Sequence, residues 1–421
     1  MSRDLRRRYV VNTSLFWLPI GLSVAPAVLL FTERGLDTAA IATVVAVHSF
    51  TAAGLELPTG GLSDVLGRRH VLAAAGVLMC AAFLLVGLGS SAVVLGIGMG
   101  LQGAARALSS GPAEAWYVDS VRALEGPDAD LRSGIARGAT ASSVALAVGT
   151  VAGGVLPWAF DGVVSGGAVL PLSVPMLLGS LLSLGFTCHS LLALREPPRP
   201  RATLKGVLRG VPGTVVDGVR LAGRDGVVRR VLLSAAAAGS ALAVIELLTP
   251  GKVAAITGGA ESGAVGYGGL ATVGFLCSAG GSALAPVLRG GRWTVLVGTA
   301  VAAGAVLLLG GGPNAVALAG YGLFYVTLGV VDPNLNDLLH HRVPDDLRAT
   351  ALSVQSLALQ LAAAVTGLII GPFSGDGILP WLPPLAALLA VTLLWSRPLR
   401  EVTTVPPVSA DGQRTRTVES S

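Results

Sequence analysis

The feature that most constrains this chain is the length of its charge-free apolar blocks. Val10 to Phe31 carries no charged residue, and Ala39 to Gln102 carries only Glu56, Asp64, Arg68 and Arg69 as fixed charges. A soluble helix needs one polar face, and these blocks have none. About 20 mostly apolar residues cross a hydrocarbon core of about 30 Å. Twelve such spans are predicted, at 10–31, 39–62, 71–89, 92–118, 134–160, 168–193, 229–250, 263–288, 293–311, 314–338, 348–372 and 378–396. Charged residues make up only 13% of the chain, against about a quarter in soluble domains. The expected fold class is therefore an all-α membrane protein with twelve transmembrane helices in two six-helix halves.

The 57 glycines fit this setting. Gly is costly in a soluble helix, but between lipid-embedded helices small residues let backbones approach closely. Arg6, Arg7 and Arg8 precede the first span, and Ala25-Pro26-Ala27 imitates a signal-peptide cleavage site. The apolar run continues past that site to Phe31, which favours an uncleaved first helix. Cys80, Cys188 and Cys277 sit in separate spans without ligand spacing. They read as small buried hydrophobes, and no metal site or cofactor is expected.

Orientation follows from the basic residues. With the N-terminus in the cytoplasm, 26 Lys and Arg fall on inside segments, only Arg34 and Lys252 fall outside, and Arg106 lies within a span. The expected location is a bacterial inner membrane, multi-pass, with both termini cytoplasmic. The net positive charge is then a topology signal, and no nucleic-acid partner is expected.

The stretch from Arg195 to Arg230 breaks the apolar pattern, and its prolines Pro197, Pro198 and Pro200 stop the sixth span. Ala202 to Gly226 could form a basic amphipathic helix on the cytoplasmic leaflet. The expected organisation is an N-terminal half at 1–194, a cytoplasmic linker at 195–228, a C-terminal half at 229–398 and a polar, disordered tail at 399–421. Weak similarity relates the halves. Gly111-Pro112-Ala113-Glu114 aligns with Gly329-Val330-Val331-Asp332, the same offset pairs Asp119 with Asp337, and Asp130-Leu131-Arg132 resembles Asp346-Leu347-Arg348. Parallel six-helix repeats are a common transporter plan.

Between spans 2 and 3 the chain reads Gly60-Gly61-Leu62-Ser63-Asp64-Val65-Leu66-Gly67-Arg68-Arg69. This resembles the signature loop of the major facilitator superfamily, G-x-L-A-D-R-x-G-R-R/K, at Gly60, Leu62, Asp64, Gly67, Arg68 and Arg69. Ser63 replaces the usual Ala, and Val65 replaces the usual Arg. The resemblance implies the major facilitator fold and a secondary transporter whose halves rock about a central site. The glycines permit a tight turn. Asp64 can accept hydrogen bonds from a helix N-terminus or an Arg, with the start of span 11 as one candidate. Arg68 and Arg69 can reach Asp119 at the end of span 4. Such a conformational latch would hold in one state and break in the other. The equivalent stretch in the second half, Ala285 to Leu296, is degenerate, so a one-sided latch is expected.

Gly149-Thr150-Val151-Ala152-Gly153-Gly154 looks like the G-P-x-x-G-G motif of the superfamily's drug/proton antiporters, with Thr150 in place of Pro. A Gly-rich packing face is the alternative reading. Ionisable groups at membrane depth mark function by default. Here they are Glu56 in span 2, Arg106 and Glu114 in span 4, Glu246 in span 7 and Asp332 in span 10. Carboxyls in apolar settings can load and release protons near physiological pH. Glu114 is the leading proton-coupling candidate, followed by Glu56 and Asp332. Arg106, Gln102 and Glu246 are the substrate-cavity candidates. On one continuous helix Arg106 and Glu114 would point about 80° apart, able to line one cavity without pairing. Trp116 and Tyr117 suit an interfacial belt.

The expected function is proton-coupled export of small amphipathic molecules, a drug or a secondary metabolite, by alternating access. An uptake symporter for a small nutrient is the alternative. No catalytic or phosphate-loop pattern is present in the sequence, so an enzyme is not expected. The expected partners are the small-molecule substrate, protons and the lipid bilayer, with the chain acting as a monomer.

Overall fold

A computed structural model describes residues 2–60, 62–126, 129–164, 167–196, 220, 223, 225–288, 290–343, 348–373 and 377–398. Among these residues the ordered elements are helical. They are α1 (Ser2–Val24), α2 (Ala27–Glu33), α3 (Thr38–Gly60), α4 (Leu62–Leu66), α5 (Arg68–Leu88), α6 (Ala92–Ser109), α7 (Pro112–Glu125), α8 (Arg132–Ala159), α9 (Val174–Ala193), α10 (Gly226–Thr257), α11 (Ala260–Leu284), α12 (Gly291–Gly311), α13 (Asn314–His340), α14 (Arg348–Ile370) and α15 (Leu382–Ser396), with short 3₁₀ turns between some of them. Most of the expected linker and the whole 399–421 tail lie outside the described residues, as does Asp346-Leu347.

Ten spans are long and apolar enough to cross a membrane, and the α1–α2 pair, bent by 44°, makes an eleventh. The bend sits at Pro26, which has no N–H to continue the ladder. The twelfth membrane-length helix is α11, whose 25 residues include seven glycines and Glu261. Glycine contributes little hydropathy, which leaves α11 outside the most apolar spans although its length suffices.

Span 4 differs from its prediction. It breaks at Ser110-Gly111 into α6 and α7 and runs on to Glu125, rather than forming one helix over 92–118. Gly111 adopts φ 92°, a left-handed conformation open to glycine, and Pro112 starts the next helix with φ preset and no donor to leave orphaned. The 80° relation between Arg106 and Glu114, which assumed continuity, does not apply. The interfacial role expected for Trp116 and Tyr117 is also replaced. Both are 1% exposed. The Trp116 Nε1–H donates to the Arg195 carbonyl at 2.9 Å, and Tyr117 stacks on Tyr9 with centroids 4.9 Å apart. A buried Trp needs a polar partner, and the Arg195 carbonyl just beyond α9 provides it.

The first half packs α1 on α8 and α9, α3 on α6, and α5 on α6 and α9; the second packs α10 on α14, α12 on α13, and α11 on α13. Across the halves, α8 packs on α11 and α3 on α14. Glycines set the approach. A Cβ on Gly149 would stand 2.6 Å from the Leu18 carbonyl oxygen, and one on Gly154 would stand 2.6 Å from the Ala264 carbonyl oxygen. The Gly149–Gly154 stretch is thus a contact spine, turned to α1 at Gly149 and Gly153 and to the second half at Gly154. The face of the bundle bearing the N-terminus and the Gly67 turn is called the basic face below.

Candidate functional site

Thr59 Oγ1 lies 2.8 Å from the Leu55 carbonyl and 3.1 Å from the Ala107 carbonyl, so the hydroxyl bridges α3 and α6 in the last turn of each. Gly103 lies against the His48 backbone, so the two helices nearly touch. This close packing places Arg106 and Glu56 within electrostatic reach of each other. The Arg106 guanidinium lies over the Trp17 ring of α1, 4.9 Å from its centroid, a cation–π arrangement. Arg106 is nonetheless exposed, so it faces open space rather than packed helix.

Glu56 reaches the other half. Its Oε2 accepts from Ser356 Oγ at 3.0 Å and from Gln360 Nε2 at 2.9 Å, both on α14. Gln360 Nε2 also donates to Ser356 Oγ at 3.1 Å. The residues are far apart in sequence, and one carboxylate closes the triangle. Hydrogen bonds to an ionised acceptor are about twice as strong as neutral ones. Gln102 stands one turn before Arg106, half-buried. His48 lies within electrostatic reach of Arg106.

Glu246 forms a second polar centre. It is exposed although Val244, Ile245 and Leu247 around it are buried. Tyr267 of α11 and Tyr321 and Tyr325 of α13 lie within its electrostatic reach. Tyr321 and Tyr325 are in ring contact with centroids 4.8 Å apart. The chain has five tyrosines. Two stack at the basic face, and the other three gather here. None of these three was singled out from the sequence, although Tyr321 and Tyr325 share a helix face at i, i+4 in the middle of a span, where a phenol needs a reason to be.

The other acids stand apart. Glu114 is exposed in the first turn of α7, where free backbone N–H groups favour an anion, and Tyr9 lies within its electrostatic reach. Asp332 borders a cavity of about 30 Å³ within the second half, lined also by Ser234, Thr327 and Phe324. The structure therefore brings Glu56 and Arg106 together and leaves Glu246, Asp332 and Glu114 in separate surroundings.

At the turn between spans 2 and 3, Arg68 Nη1 lies 2.6 Å from Asp119 Oδ2. Gly67 adopts φ 96°. The Arg69 backbone N–H donates to Glu196 Oε1 at 2.8 Å, an anchor the sequence reading did not include. Gly60 ends α3, and Asp64 lies in α4 with its side chain outside the described part of the structure. The Arg68–Asp119 pair joins two elements of the first half and the Glu196 contact ties that half to the start of the linker, so neither bridges the halves in this conformation. Among the described residues no group of three His, Cys, Asp or Glu side chains could hold a metal ion.

Two six-helix halves packed about a polar centre, with a glycine-turned basic loop at one face, define a secondary transporter rather than an enzyme. The family model described as Major Facilitator Superfamily matches residues 11–367, and the chain belongs to that family. No curated protein matches the sequence. Solved structures share the fold at low identity. The crystal structure of the nucleoside transporter NupG aligns with TM-score 0.72 at 12% identity, covering 93% of this chain and 98% of that one. A bacterial homolog of the human lysosomal transporter Spinster, inward-facing and unoccupied, gives TM-score 0.69 at 14% identity, over 94% of this chain and 95% of that one. A peptide transporter POT mutant in complex with sulfate gives 0.68 at 12% identity, over 93% and 94%.

Proposed function

We propose that this chain is a proton-coupled transporter that exports small amphipathic molecules by alternating access, in a bacterial inner membrane with the basic face toward the cytoplasm. The observation that carries this reading is the Glu56 carboxylate, which joins the halves through Ser356 and Gln360 beside Arg106. Protonation removes the charge that strengthens both hydrogen bonds and the attraction to Arg106. The proton therefore biases one arrangement of the halves over the other, as a coupling ion must. Glu56 takes the leading place among the proton-coupling candidates, ahead of Glu114 and Asp332.

The amphipathic cargo is supported by the second centre. Glu246 is exposed, with the buried rings of Tyr267, Tyr321 and Tyr325 behind it, and an acid backed by aromatic and apolar packing suits a cation with an apolar body. Arg68, Arg69, Asp119 and the Gly60–Gly67 turn act as a brace of the first half, with the latch function of Asp64 acting at the basic face. The same Glu56 chemistry would drive an uptake symporter for a small nutrient, and direction separates the two.

The test uses efflux-deficient bacteria expressing the protein, Glu56→Gln or Glu114→Gln at matched membrane levels, and follows accumulation of a cationic dye with and without an uncoupler. Lower accumulation with the parent protein, lost with uncoupler and with Glu56→Gln but retained with Glu114→Gln, is expected. Retention in Glu56→Gln with loss in Glu114→Gln would return the proton to α7. Raised accumulation of a nutrient analogue driven by an inward proton gradient, with no dye effect, would establish the symporter instead.

A further inference from the structure

We propose that the groove between α1 and α8 at the basic face is a binding site for an anionic phospholipid. The groove has a volume of about 750 Å³. Its rim carries Arg3, Arg6 and Arg7 from α1 and Arg137 from α8, and its walls include Val10, Leu18, Val144 and Val148.

The wall belongs to a lipid-facing surface. On α8, Val144, Val148, Val151, Val155 and Trp158 recur at helical spacing and are 55%, 56%, 45%, 40% and 61% exposed. This stripe runs about 21 Å along the helix, to the end where α8 closes against the other half. Its apolar character over that length fits acyl chains, whereas α8 turns Gly149 and Gly153 to α1 and Gly154 to α11.

The rim holds charge that the described protein does not neutralise. Arg8 pairs with Asp4 at 2.7 Å. Among the described residues no ion pair is formed by Arg3, Arg6, Arg7 or Arg137, and the buried Arg6 Nε has no hydrogen-bond partner. Three of these cations crowd the start of α1, where the helix dipole is itself positive. A rule that keeps basic residues on one side of the membrane accounts for their side, but not for convergence of two helices on one apolar-walled groove. A phosphodiester offers oxygens for the guanidinium forks, and its two acyl chains match the valine wall. The inference needs the basic face to lie in a headgroup layer and does not depend on the cargo.

The full-length protein in mild detergent is titrated with phosphatidylglycerol or phosphatidylcholine, and bound lipid is counted by native mass spectrometry. One retained phosphatidylglycerol per chain is expected, bound at least about tenfold more tightly than phosphatidylcholine. Millimolar glycerol phosphate should leave it in place. The combined change Arg3→Gln, Arg6→Gln, Arg7→Gln and Arg137→Gln should weaken it by about tenfold or more, while Arg122→Gln with Arg132→Gln on the same face should not. Val148→Trp fills the wall without altering charge and should also lower retention, which covers the case in which the arginine variant misinserts. Equal retention of the two lipids, equal loss in the Arg122/Arg132 control, or unchanged retention in Val148→Trp would overturn the proposal. Displacement by glycerol phosphate would make it a phosphate site and overturn it as well.

Discussion

The two ends of the interface between the halves are built from different materials. Away from the basic face the halves meet backbone to backbone. Gly154 sits under the Ala264 carbonyl, Gly268 lies against Thr150, and a Cβ on Gly371 would stand 2.9 Å from the Ala39 Cα. Toward the basic face the described link runs through side chains, with Glu56 accepting from Ser356 and Gln360. The first contact depends on shape alone and is indifferent to protons. The second is an acid whose bonds change with its charge. Under the proposed coupling through Glu56, the titratable group stands at one end of the interface and a charge-free seal at the other.

The largest effect should come from filling the seal. Gly154→Leu drives a side chain into backbone, and overpacking of this kind costs about 1–3 kcal/mol. Transport should be abolished and the melting midpoint of the detergent-solubilised protein lowered. A variant with parental transport would show that the two helices part there in the working cycle. Next, Ser356→Ala with Gln360→Ala removes both donors to Glu56 and leaves the acid. Uncoupler-sensitive transport should fall several-fold while passive dye binding is kept; unchanged coupling would mean the cross-half bonds are bystanders.

A smaller effect is expected from Arg106→Lys, which keeps the charge but loses the planar surface over Trp17. Cation–π contacts are worth about 0.5–2 kcal/mol, so the apparent affinity for a cavity ligand should change several-fold with little change in stability, as read by competition binding. The smallest belongs to the basic loop. Arg68→Ala removes a pair whose side chains are 12% (Arg68) and 40% (Asp119) exposed, and because water reaches the carboxylate the pair contributes about 1 kcal/mol. A shift of no more than a few degrees in thermal unfolding is expected, and a collapse in expression would show that the pair does more than brace the turn.

The helical plan was legible because membrane spans are read from length and charge alone, without tertiary information. The Arg68–Asp119 contact lay within reach for a related reason, since the turn places Arg68 at the start of α5 and Asp119 on the adjoining end of span 4. The Glu56 triangle was not legible, because it joins residues about 300 positions apart and requires the register of α3 against α14. The Tyr267–Tyr321–Tyr325 group was hidden by the same kind of distance, although Tyr321 and Tyr325 were visible as a pair. Glu196 stands beside the linker prolines in sequence, whereas the chain carries it back to the Arg69 backbone. The expected Gly-rich motif of span 5 was visible as glycine spacing, but only the folded helices show which backbone each glycine admits.

The break at Gly111 separates two tasks that a continuous rod would combine. The α6 piece holds Arg106 over Trp17, and the α7 piece holds Asp119 against Arg68. In an unbroken helix any twist of Arg106 would be passed to Asp119 undiminished. A left-handed glycine followed by proline instead lets the direction of Arg106 be set by α6 and that of Asp119 by α7.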